Sequence, residues 1–96
     1  MLAVLERNPE NVIARINLGK LYIRLNQPAA GVEQLEQAVV LSPKSTTAKK
    51  FLGMAYQAAG RHDEALAVLR QIEDDPAQGI SAALEIGRTQ LLMGRP

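Results

Sequence analysis

The side chains best suited to chemistry are few, and one short stretch holds the only histidine. The segment "RHDEA" places His62 next to Asp63 and Glu64. A histidine beside carboxylates can act as a general base or bind a metal, provided that a nucleophile or further ligands stand at a suitable spacing. Neither kind of motif accompanies His62. We therefore interpret it as a solvated residue at the start of a helix, and we expect no catalytic residue.

A second group that could do chemistry is the acidic run "EDD" from Glu73 to Asp75. Carboxylates bind cations, but the spacing does not match a calcium loop. An acidic turn that leads into a helix N-terminus explains the run more simply. The chain contains no cysteine, so disulfides and thiolate metal sites are excluded. We expect neither a metal nor a cofactor.

Charge and hydropathy narrow the class of partner. Eleven basic and ten acidic residues give a net charge of +1, which argues against nucleic acid as a ligand. The apolar runs are too short to cross a bilayer, and the start "MLAVLERNPE" becomes charged too early for a signal peptide. We expect one soluble domain without direct membrane insertion. The compartment stays open between cytosol and periplasm, since a cysteine-free chain suits both.

A glycine recurs in the middle of predicted helices, and this recurrence reveals internal repeats. Gly19, Gly53 and Gly87 follow each other at equal intervals, in "NLGKLY", "FLGMAY" and "EIGRTQ". A glycine inside a helix costs roughly 1 kcal/mol relative to alanine, so close helix packing must require it. We expect Gly53 to lie at a helix contact between neighbouring repeats. Other positions share the period, namely Ala14, Ala48 and Ala82, and also Asn26, Gly60 and Gly94.

This interval, together with a leucine-glycine-tyrosine core, resembles the tetratricopeptide repeat (TPR), whose period is about 34 residues. Ala38 and Pro43 in the first unit, and Ala65 in the second, stand where that family has its small residues and closing proline. The chain departs from the family at Gly31, which replaces an alanine, at Arg15 and Lys49, which replace a common tryptophan, and at Pro76, which comes one residue early. The resemblance implies an all-α fold, a right-handed α-solenoid of antiparallel helix pairs that forms a TPR-like superhelix.

The period also divides the chain. We expect a single TPR-like domain over 1–96 that is an excerpt of a longer array. Residues 1–9 would end a preceding repeat, 12–45 and 46–79 would form two whole repeats, and 80–96 would be the first helix of a truncated third. Proline and glycine signals, such as Pro43 after Ser42 and the stops at Gly60 and Gly94, mark the helix ends. They predict helices near 10–25, 28–41, 43–59, 62–74 and 77–93.

The first helix is apolar on two sides. Helical geometry places Ala14, Leu18, Leu21, Tyr22 and Leu25 on one side, which we interpret as the core stripe. Isoleucines and a lysine lie nearly opposite, and the family resemblance implies that these positions line a concave groove for peptides. The groove residues predicted in this way are Ile13, Ile16, Lys20, Ile23, Lys50, Met54, Gln57, Leu84, Arg88 and Leu91.

Two functions compete for this second stripe. In the first, the chain is a non-enzymatic scaffold that binds a peptide or helical segment, apolar with acidic flanks, in the groove. In the alternative, the stripe packs against repeats outside the chain, or the chain forms a homodimer through terminal helices that expose Ile86 and Met93. Some TPR proteins clamp a terminal carboxylate, but the five clamp positions here hold Ile16, Lys20, Phe51, Ser81 and Glu85, so that clamp is absent. We favour the scaffold.

Overall fold

The computed structural model describes residues 9–94, and the side-chain environment of residues 11–94. Residues 9–94 form five helices and contain no strand. The helices are α1 (Pro9–Arg24), α2 (Pro28–Leu41), α3 (Thr46–Ala58), α4 (His62–Arg70) and α5 (Gly79–Leu92). This confirms the predicted all-α class. The repeat end predicted over residues 1–9 lies almost entirely outside the described residues.

The helices stack in two layers. Each helix packs on the next along the chain, and α1 also contacts α3, while α3 contacts α5. The first helices of successive repeats (α1, α3 and α5) therefore lie side by side, and the second helices (α2 and α4) cover them from one side. The described part measures 48 × 29 × 17 Å. This arrangement, in which each unit contacts its neighbours, is that of a TPR-like helical solenoid.

The periodic glycines allow close packing of helices. A Cβ atom built on Gly19 would lie 2.5 Å from Cγ of Leu35, and one on Gly53 would lie 2.5 Å from Cγ of Leu69. Both leucines are fully buried. The predicted need for a missing side chain is therefore confirmed at these two positions. The prediction that Gly53 contacts a neighbouring repeat is wrong, because Leu69 belongs to the second helix of the same pair.

Three turns share one backbone conformation at the repeat period. Asn26, Gly60 and Gly94 have φ angles of 60°, 80° and 74°. This left-handed conformation ends helices and suits glycine, and asparagine adopts it more readily than most residues. It follows α1, α3 and α5 in turn, so the predicted helix stops at Gly60 and Gly94 are confirmed.

The start of α3 differs from the prediction. The helix begins at Thr46 rather than near residue 43. The Ser45 hydroxyl oxygen accepts a hydrogen bond from the Ala48 backbone N–H at 3.1 Å, which makes Ser45 the N-cap. Pro43 therefore lies in the turn before the helix, and Ser42 is not its cap.

The end of α4 and the start of α5 also differ. Helix α4 stops at Arg70, short of the predicted end at residue 74, and α5 begins at Gly79 rather than near residue 77. The carboxylate of Asp75 accepts hydrogen bonds from the backbone N–H groups of Ala77 and Gln78, at 2.9 and 2.7 Å. These bonds close a turn before α5, so the acidic run does lead into a helix, as expected, but through an intervening turn.

Most of the predicted core face of α1 is exposed among the described residues, although Tyr22 is half-buried. Leu18, Leu21 and Leu25 are exposed, and so is Ala14. Ile16 belongs instead to the buried core, being only 8% exposed, and residues further along the same side of the helix pack against that core. The equivalent positions of α3, which include Ala48, Leu52 and Ala55, are buried, and α2 packs against that helix. The described residues contain no helix before α1 that could cover the leucine stripe in the same way.

Candidate partner-binding site

Two lysines from neighbouring first helices meet at one aromatic ring. Lys20 on α1 places its Nζ atom 4.8 Å from the ring centre of Phe51, and Lys50 on α3 places its Nζ atom 4.7 Å from it. Phe51 is half-buried and packs against the core, which fixes the ring. Lys20 is exposed and Lys50 is half-buried. We call this group the Lys–Phe–Lys cluster.

The cluster concentrates positive charge on the layer of first helices. Each ammonium group gains roughly 0.5–1 kcal/mol from the ring at an exposed site, but two like charges near one ring repel each other. Among residues 11–94 the two ion pairs are Arg61 with Glu64 and Arg88 with Glu85, so neither lysine is neutralised there. A carboxylate that approached either ammonium group would accept a charge-assisted hydrogen bond from it.

Other predicted groove residues are accessible to different extents. Ile13 is exposed on α1, and Met54 is half-buried on α3, one helical turn after Lys50. Arg88 is exposed, and its Nη1 atom lies 3.6 Å from Oε2 of Glu85 on the preceding turn of the same helix. Its charge is therefore partly balanced within α5, unlike the charges of the Lys–Phe–Lys cluster.

Three predicted groove residues are occupied by contacts within the chain. Ile16 is buried in the core, so the prediction that a partner contacts its side chain is wrong. Ile23 is half-buried because it lies against Gly31 of α2. A Cβ atom built on that glycine would lie 3.4 Å from Cγ1 of Ile23. Gln57 donates a hydrogen bond from Nε2 to the Thr89 hydroxyl at 2.8 Å, which joins α3 to α5.

Leu84 and Leu91 are exposed on α5. Leu84 stands one repeat period after Lys50 and two after Ile16, so the same repeat position holds a cluster lysine in one unit and a core residue in another. Both leucines stay predicted groove residues. Ile86 and Met93 were expected to be exposed on the last helix, and this expectation is not met. Both residues are half-buried, and Ile86 packs against the core.

Phe51 is the residue that sequence reasoning missed. It stands almost one full repeat after Lys20, and no pattern along the chain joins the two. The signal lies in its place in the repeat, because Phe51 stands at one of the five positions that the resemblance to clamp-bearing TPR proteins implies for ligand binding.

A second polar cluster ties three helices together. The Tyr56 hydroxyl on α3 donates a hydrogen bond to Oε2 of Glu36 on α2 at 2.5 Å. The guanidinium of Arg61 lies 4.7 Å from the Tyr56 ring and pairs with Glu64 on α4 at 2.7 Å. Burial, together with the hydrogen bond to Glu36 and its negative charge, raises the pKa of Tyr56 to about 12. This cluster holds the layers together.

Arg15 fills the place where the family commonly has a tryptophan. Its guanidinium donates a hydrogen bond to Oε1 of Gln34 at 3.2 Å and another to Gln37, both on α2. These two hydrogen bonds join α1 to α2. A pocket of about 350 Å³ adjoins it on this side of the molecule. Its lining residues are Arg15, Glu33, Glu36, Gln37, Val40 and Leu41.

His62 and the acidic run have structural positions at the start of α4 and in the turn before α5. His62 begins α4 and is half-buried rather than solvated, and its Nδ1 atom is buried without a hydrogen-bond partner among the described residues. Within residues 9–94, no three histidine, aspartate or glutamate side chains are grouped so that they could hold a metal ion. Asp75 is engaged by the turn before α5.

Comparison with known proteins agrees with the repeat architecture. A family model described as tetratricopeptide repeat matches residues 16–79, a range that includes Lys20, Lys50 and Phe51. No curated protein matches the chain. None of the helices in residues 9–94 combines the length and apolar character that crossing a membrane requires.

Proposed function

This chain belongs to the tetratricopeptide repeat family, and we propose on that basis that it is a non-enzymatic scaffold which binds an acidic, partly apolar peptide along its layer of first helices. Repeats of this family generally mediate protein–protein interaction, and they generally do so as modules without enzymatic activity. The finer part of the proposal, the face and the chemistry of the ligand, is supported by the Lys–Phe–Lys cluster.

The cluster favours a ligand that carries a carboxylate between apolar side chains. An aspartate or glutamate would contact Lys20 and Lys50, and its apolar neighbours would contact Ile13 and Met54 on the same layer. Exposed ion pairs contribute about 0–1 kcal/mol each, so apolar contacts supply most of the affinity. The lysines mainly fix the orientation of the peptide and speed its association.

Selection from a random peptide library displayed on phage tests this proposal. We expect the peptides that bind the wild-type chain to be enriched in aspartate or glutamate next to apolar residues. The double variant Lys20→Gln/Lys50→Gln should bind them about tenfold more weakly, which corresponds to roughly 0.7 kcal/mol for each lost ion pair. The matched control is Arg24→Gln/Lys44→Gln, because both residues are exposed and the change in net charge is the same.

Three results would contradict the proposal. The library could yield no binding peptide, the selected peptides could lack acidic residues, or both double variants could weaken binding equally. The last result would mean that the total charge, rather than the Lys–Phe–Lys cluster, attracts the peptide. Thermal melts of both double variants verify that a loss of binding does not come from a loss of structure.

A further inference from the structure

Lys20 and Lys50 bring two like charges to one place. Their ammonium groups come from different helices, α1 and α3, and lie 4.8 and 4.7 Å from the centre of the Phe51 ring. Among residues 11–94, neither lysine belongs to an ion pair. Two like charges repel each other, and a lysine side chain loses conformational freedom when it is held in one place. Some contact must offset both costs, and the ring of Phe51 is the group that the two lysines share.

The place of Phe51 in the repeat shows what an aromatic residue contributes there. The residue one repeat later is Glu85, and its carboxylate pairs with Arg88 at 3.6 Å. Arg88 itself stands two repeats after Lys20. A carboxylate neutralises the cation that it holds, whereas a neutral ring attracts a cation through its quadrupole and leaves the charge in place. Phe51 therefore holds its lysines without cancelling their charge, unlike Glu85 with Arg88.

The ring of Phe51 is a firm support for both lysine side chains. Phe51 is half-buried and packs against the hydrophobic core, and it is the only phenylalanine of the chain. An aromatic side chain has two rotatable bonds, so it is fixed at low entropic cost once it is packed. An ammonium group has three N–H donors, so a lysine that contacts the ring keeps donors free for a carboxylate.

We propose that Phe51 is a positioning residue, which gathers the ammonium groups of Lys20 and Lys50 in the unbound chain before an acidic partner arrives. This inference rests on the proposed function, because it concerns the same face and the same ligand. A partner's carboxylate then meets side chains that are already in place, so less conformational freedom is lost on binding. Without the ring, the two lysines repel each other and their side chains spread into solvent. The charge of the face stays the same, but binding weakens.

Proton NMR of the peptide-free chain tests whether the ring holds the lysines. Protons that lie over an aromatic ring are shifted upfield, so we expect this shift at the Cε methylene groups of Lys20 and Lys50. The exposed Lys44 supplies the reference signal. Phe51→Leu should remove the shift, because leucine keeps an apolar side chain but has no ring, whereas Phe51→Tyr should keep it. Thermal melts and amide spectra verify that both variants are folded.

Peptide affinity tests whether this arrangement serves binding. With the tightest-binding acidic peptide from the phage selection, Phe51→Leu should weaken binding about threefold, whereas Phe51→Tyr should stay close to the wild type. In the Lys20→Gln/Lys50→Gln background, Phe51→Leu should change the affinity little, because no ammonium group is left to position. A general structural role would weaken binding in both backgrounds, so this double-mutant comparison separates the two roles.

The inference is overturned if the lysine signals of the wild-type chain show no upfield shift, or if Phe51→Leu binds the peptide as tightly as the wild type. An equal loss from Phe51→Leu in both backgrounds would assign the ring a different role and would also overturn it. The proposed function survives each of these results as long as Lys20→Gln/Lys50→Gln loses affinity and its matched control does not. A chain that binds no acidic peptide would instead overturn the proposed function, and this inference with it.

Discussion

Gly53 and Gly87 occupy the same position in successive repeats but have opposite surroundings. The side chain missing at Gly53 leaves room for Leu69, which is fully buried, whereas the space beside Gly87 is open among the described residues. The sequence predicts equal roles for both, because the period treats them alike. Their difference comes from the helix that follows, and only α3 has its antiparallel partner within the described structure.

This contrast predicts opposite effects of one substitution. Gly53→Leu should lower the free energy of unfolding by about 2–3 kcal/mol, as expected for an overpacked core position. Gly87→Leu should instead raise it by up to about 1 kcal/mol, since leucine is the better helix former and its Cβ atom meets nothing within 4 Å. Urea denaturation measures both. An unchanged midpoint for Gly53→Leu would contradict the packing role of the glycine.

The raised pKa of Tyr56 should make the free energy of unfolding depend on pH in the alkaline range. Its pKa is raised to about 12 in the folded chain, mainly by burial and then by the hydrogen bond to Glu36. The ordinary pKa of tyrosine is about 10. Because folding favours the protonated phenol, its stabilising contribution is complete below pH 10 and is lost as the pH rises towards 12.

The variant Tyr56→Phe isolates this contribution. The wild-type chain should be more stable than Tyr56→Phe at pH 9, since the variant loses the hydrogen bond to Glu36. This advantage should shrink by about 2 kcal/mol or less between pH 9 and pH 12, because each unit of pKa shift corresponds to about 1.4 kcal/mol. Urea denaturation of both proteins across this range measures it. A constant difference between the two proteins would contradict the raised pKa.

At the scale of the helices, local sequence signals predict that a helix exists better than they predict where it ends or which of its faces is buried. All five helices appear near their predicted positions, because the repeat period and the glycine stops mark them. The start of α3 could not be assigned with certainty, since Ser42 and Ser45 both precede helix-forming residues. The exposure of the leucine stripe on α1 could not be predicted from hydropathy, because the equivalent positions of α3 are buried where that helix packs against α2.

The start of α3 can be tested with two serines of the same chain. Ser45→Ala should lower the free energy of unfolding by about 1 kcal/mol, because the N-cap hydrogen bond to the Ala48 N–H is lost. Ser42→Ala is the control and should have little effect. Thermal or urea denaturation of both variants distinguishes the two possible starts. The larger loss in Ser42→Ala would restore the start near residue 43.

At the scale of the whole molecule, the repeat period predicts stacked helix pairs but not the contacts between them. The Lys–Phe–Lys cluster and the hydrogen bond from Gln57 to Thr89 each join residues that stand almost one repeat apart. Such contacts depend on how far each helix rotates and slides against its neighbour, and side-chain volumes in the core determine both. Of the ten predicted groove residues, Lys20 and Lys50 are the two that the fold brings to a common point.

The most direct test of the scaffold account is a titration of the ¹⁵N-labelled chain with the tightest-binding acidic peptide from the phage selection, followed by NMR. We predict that the amide signals of Lys20, Phe51 and Met54 shift on binding. The same peptide should leave these signals nearly unmoved in the Lys20→Gln/Lys50→Gln variant. Shifts confined to α2 and α4, with the signals of Lys20, Phe51 and Met54 unchanged, would contradict the account.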